Sequence, residues 1–261
     1  MPRYFIDLAY KGTLYSGFQV QQNANTIQGE VENAFQTLLR KPVTLIGSSR
    51  TDGGVHALQN FFHFDTILPL HEWRGIEGET QFVYKINALL PPDIAIKKIH
   101  QMHPEAHARY DAISREYEYR IYKTKNPFLK DTAYYYPFKI NVELIHDACA
   151  IVKCANNFFA FSKTNTQVNN YACIVSDSHW QTKKGVHIYH IKANRFLRGM
   201  VRLLTATLLQ IGRGKITVDD FSLLLNSTSK KCELSVPPQG LFLKEVAYPQ
   251  DYFNNHKRLK N

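Results

Sequence analysis

The stretch TIQGEVENAFQTLLR, residues 26–40, decides the fold through what stands on either side of it. Ile27, Val31, Ala34, Phe35 and Leu38 recur at helical spacing, and Asn25 or Thr26 stands where a side-chain oxygen can cap the first turn. The spacing predicts a helix over 26–40. Before it, residues 3–9 read as a strand. After it, strand patterns fall near 43–49 and 57–65, the second with Phe62 and Phe64 alternating about His63. A further helix is expected over 79–90, stopped by Pro91-Pro92, and a strand over 94–100. That order is βαββαβ, the ferredoxin-like unit.

The second half repeats the order without visibly repeating the sequence. A strand is expected at 114–123, then a helix at 141–155 with Val142, Ile145, Cys149 and Val152 on one face. Strands near 171–181 and 186–193 precede a long helix at 195–212. A short helix at 217–226 follows, with Thr217 and Asp220 as a capping box, and a strand at 241–247 ends the pattern. The expected architecture is α+β: two ferredoxin-like halves, 1–104 and 105–250, with their sheets side by side, helices outside and a cleft where the central strands meet. Residues 251–261 read as a short basic tail, and 66–78 and 162–170 as exposed loops.

The chain has 261 residues, 44% hydrophobic and 21% charged, which suits a globular protein with a substantial core. No apolar run approaches the roughly 18 residues that would span a bilayer. MPRYFIDLAY starts directly with a strand-like pattern and carries no signal peptide, so a cytoplasmic protein is expected. Lys and Arg outnumber Asp and Glu by 32 to 22, a surplus that suits a polyanion. Cys149, Cys154, Cys173 and Cys232 form no C-x-x-C pair and read as small buried hydrophobes of a reducing compartment.

Between two expected strands lies SSRTDGGVH, residues 48–56. Asp-Gly between strands is an ordinary hairpin signal. Three features make more of it. Arg50 and Asp52 are two apart, so an extended backbone points them to one side. Gly53 and Gly54 leave room for another backbone beside the carboxylate. An acid and a base so placed form only a modest surface pair unless something orders them.

SSRTDGGVHAL closely resembles the G-R-T-D-A-G-V-H-A signature of TruA-type tRNA pseudouridine synthases. YKGTLYSGFQVQ and NTIQGEVENAF resemble that family's opening blocks, and HARYDAISREYEYRIY its F-H-A-R-F and R-x-Y-x-Y. ANRFLRGMVRLLTATLLQIGRG and PPQGLFLKEVAY are similar to its last two. The resemblance implies isomerisation of uridine to pseudouridine at positions 38–40 of the tRNA anticodon stem-loop. It implies no cofactor and no metal, two ferredoxin-like halves sharing a central antiparallel sheet, and a homodimer with tRNA across both subunits.

By position, Asp52 is the family's catalytic carboxylate. It acts either as a nucleophile on sugar or base, or as a base removing the C2′ proton. Tyr117 matches the active-site tyrosine, whose ring stacks on the target base. On its own pattern, sharing a strand face with Tyr119 and Ile121, it reads as a core aromatic. Arg202, among Met200, Val201, Leu203 and Leu204, matches the basic partner of the carboxylate, and Leu241 an apolar residue of the uracil pocket. Arg50 is carried over as an RNA contact that fills the space of the flipped nucleotide, since a stacked base cannot otherwise be reached. His107, Arg109 and Tyr110 match a tRNA-contacting block, and Lys163, Asn165, Gln167 and Asn169 a tRNA-contacting loop. Ser49, Gly53, Lys11 and Phe18 depart from the family pattern, which has Gly, Ala, Asp and Trp there.

His100, His103 and His107 are spaced like metal ligands, yet no acidic or cysteine cluster accompanies them. Two other classes fit parts of the pattern. One is a non-catalytic RNA-binding protein; the other is a carboxylate-based hydrolase, for which the matched motifs supply no second acid.

Overall fold

The computed structural model describes residues 1–67, 70, 78–163 and 169–254. Among these, nine strands and five α-helices make a mixed α+β fold. Contacts divide the chain into two compact units. The first is Met1–Ile113 with the chain from Leu243 onward; the second is Ser114–Phe242. No helix among the described residues is long and apolar enough to cross a membrane.

The first unit opens with β1 (Arg3–Tyr10), α1 (Ile27–Leu39), β2 (Ile46–Gly47), β3 (His56–Asp65), α2 (Glu79–Leu89) and β4 (Ile94–Met102). β1 runs antiparallel to β3 on one side and β4 on the other, and β2 adds to β3. Register pairs Tyr4 with Phe64, Ile6 with Phe62 and Leu8 with Asn60, so one face alternates apolar residues. Against it Phe35 of α1 meets Phe64 edge-on at 5.1 Å and Phe82 of α2 at 5.5 Å. Each fully buried ring contributes roughly 2–3 kcal/mol. Thr26 caps α1 by accepting from the Gly29 amide at 3.2 Å, and α1 buries Leu39 rather than Leu38, completing the turn from Phe35. Asn87 of α2 holds both the N–H and the C=O of Ile96 at 2.8 Å, tying helix to edge strand.

The second unit contains β5 (Ser114–Tyr122), β6 (Tyr134–Tyr135), α3 (Val142–Cys154), β7 (Val175–Lys183), β8 (Val186–Ala193), α4 (Met200–Gly212) and α5 (Val218–Leu225). β8 lies between β5 and β7, antiparallel to both. β6 pairs parallel with β5, so the strand pairing is mixed and not wholly antiparallel as expected. Tyr119, Tyr189 and Ile191 turn one face inward, and α3 buries Ile145, Ala148, Cys149 and Val152. Of the cysteines, Cys149 and Cys173 are buried as expected, whereas Cys154 is exposed. α4 begins at Met200 and not at 195, because Gly199 takes a left-handed φ of 76° that breaks the helix. The Thr217–Asp220 capping box of α5 is formed.

β9 (Leu241–Ala247) carries the chain back to the first unit, where the Gln59 side chain accepts from the Val246 amide at 3.2 Å. Beyond it Tyr248, Tyr252 and Phe253 cover the face of the first unit's sheet that carries Phe5, Phe61 and His100. The start of the expected basic tail is thus an aromatic clasp; His256, Lys257, Arg258 and Lys260 lie outside the described residues, as does most of the expected loop 66–78.

Burial on this face pushes His63 and His100 each down to about 4. The unfolded chain takes up those protons near 6.5, so stability is full above that value and is lost as pH falls toward 4. Solvent screening at these rings keeps the loss below about 3 kcal/mol per histidine. Asp7, its carboxyl raised by burial, opposes the trend. Urea unfolding at pH 7 and pH 4.5 should show this drop, and His100→Phe should reduce it. An unchanged slope in that variant would remove His100 from the account.

Candidate functional site

In the first unit the segment before β3 is fastened to the chain around Gly17. The Phe18 amide donates to Thr51 O at 3.1 Å and the Gly54 amide to Tyr15 O at 3.2 Å. Gly17 and Asp52 form an isolated antiparallel bridge between these contacts. Gly17 has φ +127°, and a Cβ there would stand 3.1 Å from Thr51 O, so only glycine lets the two segments approach this closely. The space beside Gly53, expected to admit another molecule, is taken by the chain's own Ser16 backbone at 3.3 Å from a Cβ position. Asp52 itself is half-buried.

A buried amide underlies this loop. Asn60, fully buried, accepts from Ser48 Oγ at 2.7 Å and donates to Ser49 O at 3.1 Å and to Tyr10 Oη at 3.2 Å. Tyr10 Oη in turn bonds Thr51 Oγ1 at 2.9 Å. Ser48 and Ser49 are therefore held directly by one side chain, and Thr51, next to Asp52, through Tyr10. His56 adds a fourth tie, its Nδ1 accepting from the Gly12 amide at 3.0 Å. Sequence reasoning missed Asn60, Tyr10 and His56. The available signal was Asn60 itself, a polar residue in the inward row with Phe62 and Phe64. Ser49, where the resembled family has glycine, buries its hydroxyl oxygen without a hydrogen-bond partner.

The same unit holds a groove of about 290 Å³ whose lining includes Phe18, Gln19, Ile46, Arg50, His107, Arg109 and Tyr110. All four residues expected to touch RNA through Arg50 and the 107–110 block are thus brought together. Asp52 is not among the groove's lining residues. His107 Nδ1 accepts from the amides of Arg109 at 3.1 Å and Tyr110 at 3.3 Å, which assigns the proton to Nε2. Burial holds this histidine below its usual range, hence neutral near pH 7. Its ring lies 4.2 Å from that of Tyr110, which is 75% exposed and free to stack.

In the second unit Tyr117 is half-buried and meets Phe196 edge-on at 5.0 Å, while Tyr119 on the same strand face is fully buried. Tyr119 Oη donates to Pro237 O at 2.7 Å, and Arg202 Nε donates to Val236 O at 2.8 Å. Burial and then Tyr134 push the Tyr119 phenol up, with the charge of Arg202 opposing them. The flanking Met200, Val201, Leu203 and Leu204 are buried as expected, and Arg202 is half-buried. Leu241, at the start of β9, is buried. Before it, a Cβ on Gly240 would fall 2.7 Å from the Tyr119 ring, so this turn packs without side-chain space. Lys163 is tied through its amide to Arg198 O at 3.1 Å, and Asn169 is exposed. Asn165 and Gln167 lie outside the described residues. Among the described residues no three His, Cys, Asp or Glu side chains are grouped as metal ligands.

The family described as tRNA pseudouridine synthase matches residues 155–249. The chain is 40% identical over 255 residues to tRNA pseudouridine synthase A of Parabacteroides distasonis, covering 97% of this chain and 98% of that one. It is 38% identical over 262 residues to the protein of the same name from Bacteroides thetaiotaomicron, covering 99% and 95%. With that of Exiguobacterium sp. it shares 34% over 249 residues, covering 95% and 98%. Similarity at this level over nearly the whole of both chains places the protein in the TruA-type tRNA pseudouridine synthase family.

Proposed function

We propose that the protein isomerises uridine to pseudouridine at positions 38–40 of the tRNA anticodon stem-loop, with Asp52 as its catalytic carboxylate and without a cofactor. The observation that carries this reading is the fastened loop, which gives one carboxylate a defined place in a segment matching the family signature. The uracil must leave C1′, turn over and rejoin the sugar through C5. An ionised carboxylate serves that chemistry either by attack or by taking the C2′ proton. Tyr117 stacks on the target base and its hydroxyl assists loss of the C5 proton. By the family match, Arg202 is taken as the carboxylate's basic partner and Leu241 as an apolar residue of the uracil pocket. The target base is flipped out, Arg50 filling the space it leaves. His107, Arg109, Tyr110, Lys163 and Asn169 hold the RNA.

The same reading takes the fold as two ferredoxin-like halves, supported by the βαββαβ order from β1 to β4. It takes the working form as a cytoplasmic homodimer, with tRNA lying across both subunits. Pseudouridine mapping in tRNA from cells with and without the protein tests the assignment. Loss confined to the anticodon arm is expected, and an unchanged arm would refute it.

A further inference from the structure

One end of the second unit's sheet carries a surface that none of these assignments uses. β5 runs out at Tyr122 into KTKNPFLKDTAYYYPFK, residues 123–139, with four lysines and one acid, Asp131. Tyr122 pairs with Val186 and Val186 with Lys183, so the β7–β8 turn with Lys183 and Lys184 stands at the same end. Lys123 is near enough that, after burial, its charge is what lowers His187 there. Lys123, Lys125, Lys130, Lys183 and Lys184 are all exposed.

Phe128 sits among them at 91% exposure, the highest of any large hydrophobic residue described. Its turn is ordered: Asn126 Oδ1 accepts from the Phe128 amide at 2.9 Å, and Leu129 O from the Ala133 amide at 2.9 Å. A ring held outward by a fixed turn among cations has the two features that bind unpaired nucleic acid, charge for phosphates and a face for a base. A second copy of the chain is a poor occupant. Two-fold packing would set these lysines against their symmetry mates, on a protein already at +10.

We infer that this end of the second unit's sheet is a second RNA-docking surface, with Lys123, Lys125, Lys183 and Lys184 on phosphates and Phe128 stacked on an unpaired base. Tyr117 lies five residues back along β5 from Tyr122, about 17 Å at strand rise. The surface therefore engages RNA away from the target uridine and governs affinity, not chemistry. The inference rests on tRNA being the substrate.

Steady-state kinetics on full-length tRNA test it. Lys125→Glu with Lys183→Glu should raise KM about tenfold, leave kcat within about twofold, and flatten log KM against log salt by about one per lysine. Phe128→Ala should raise KM at least about fivefold, and Phe128→Trp should restore it. Thermal midpoints should not move, since every substituted side chain is exposed. Unchanged KM and salt slope would overturn the inference. So would loss of self-association in Phe128→Ala with tRNA affinity intact, which assigns the surface to a second copy. Should the wild type form no pseudouridine, the proposed activity fails, while weakened tRNA binding by the same variants in a filter assay still supports the surface.

Discussion

Asp52→Asn is expected to lower pseudouridine formation at least about 10³-fold while leaving tRNA affinity and fold nearly unchanged. Asparagine has the size of aspartate, and the backbone bonds that fasten the segment, Phe18 to Thr51, Gly54 to Tyr15 and the Gly17 bridge, form whichever of the two stands at 52. Stability should therefore change by less than about 1 kcal/mol. What is lost is the negative charge that either route requires, since a neutral amide neither attacks C1′ nor accepts the C2′ proton. Quantifying pseudouridine in tRNA after single turnover reads the effect directly. Conversion at the wild-type rate would end the catalytic assignment and leave an RNA-binding protein. Free uracil released by the wild type would point instead to a hydrolase. Deuterium at C2′ separates the remaining routes, because it slows the reaction only where that proton is removed.

How far the sequence reveals this arrangement depends on the range of the forces involved. α1 and the α5 capping box were legible because both are local: apolar residues three and four apart, and a hydroxyl three residues from a carboxylate. β2 was expected over 43–49 and forms only at Ile46–Gly47, where Gly47 lies beneath the Phe18 ring, 2.2 Å from a Cβ position. Phe18 is a neighbour that no local pattern around Gly47 names. β6, two residues long, is too short to show any period. The clasp of Tyr248, Tyr252 and Phe253 was hidden for a related reason, since an aromatic-rich end reads as a tail until a sheet face is there to receive it. Arg50, His107, Arg109 and Tyr110 were found through motif blocks, and only their shared groove required coordinates. Asn60 shows the limit most clearly. Nothing beside it in sequence names these partners, because Tyr10 reaches it from β1 and Ser48 and Ser49 from the loop.

Asn60→Leu should therefore have the largest effect of any single substitution beneath the loop, about 3–4 kcal/mol of stability. Leucine has a similar volume, so the loss is one of hydrogen bonds and not of packing. Ser48 Oγ, Ser49 O and Tyr10 Oη would all lose a partner, and an unsatisfied buried group costs about 1–3 kcal/mol. Ser48→Ala removes a single donor and should cost only about 1 kcal/mol. Urea unfolding should rank the two variants in that order. At a temperature where Asn60→Leu remains folded, kcat should still fall on the order of 10- to 100-fold, because a carboxylate displaced by about 1 Å loses its alignment with the sugar. KM for tRNA should rise less than kcat falls, since Arg50 is the groove's one lining residue from this loop and His107, Arg109 and Tyr110 come from another segment. A variant that loses stability but keeps wild-type kcat would show that Asn60 serves the fold alone and that the backbone bridge at Gly17 suffices to aim Asp52.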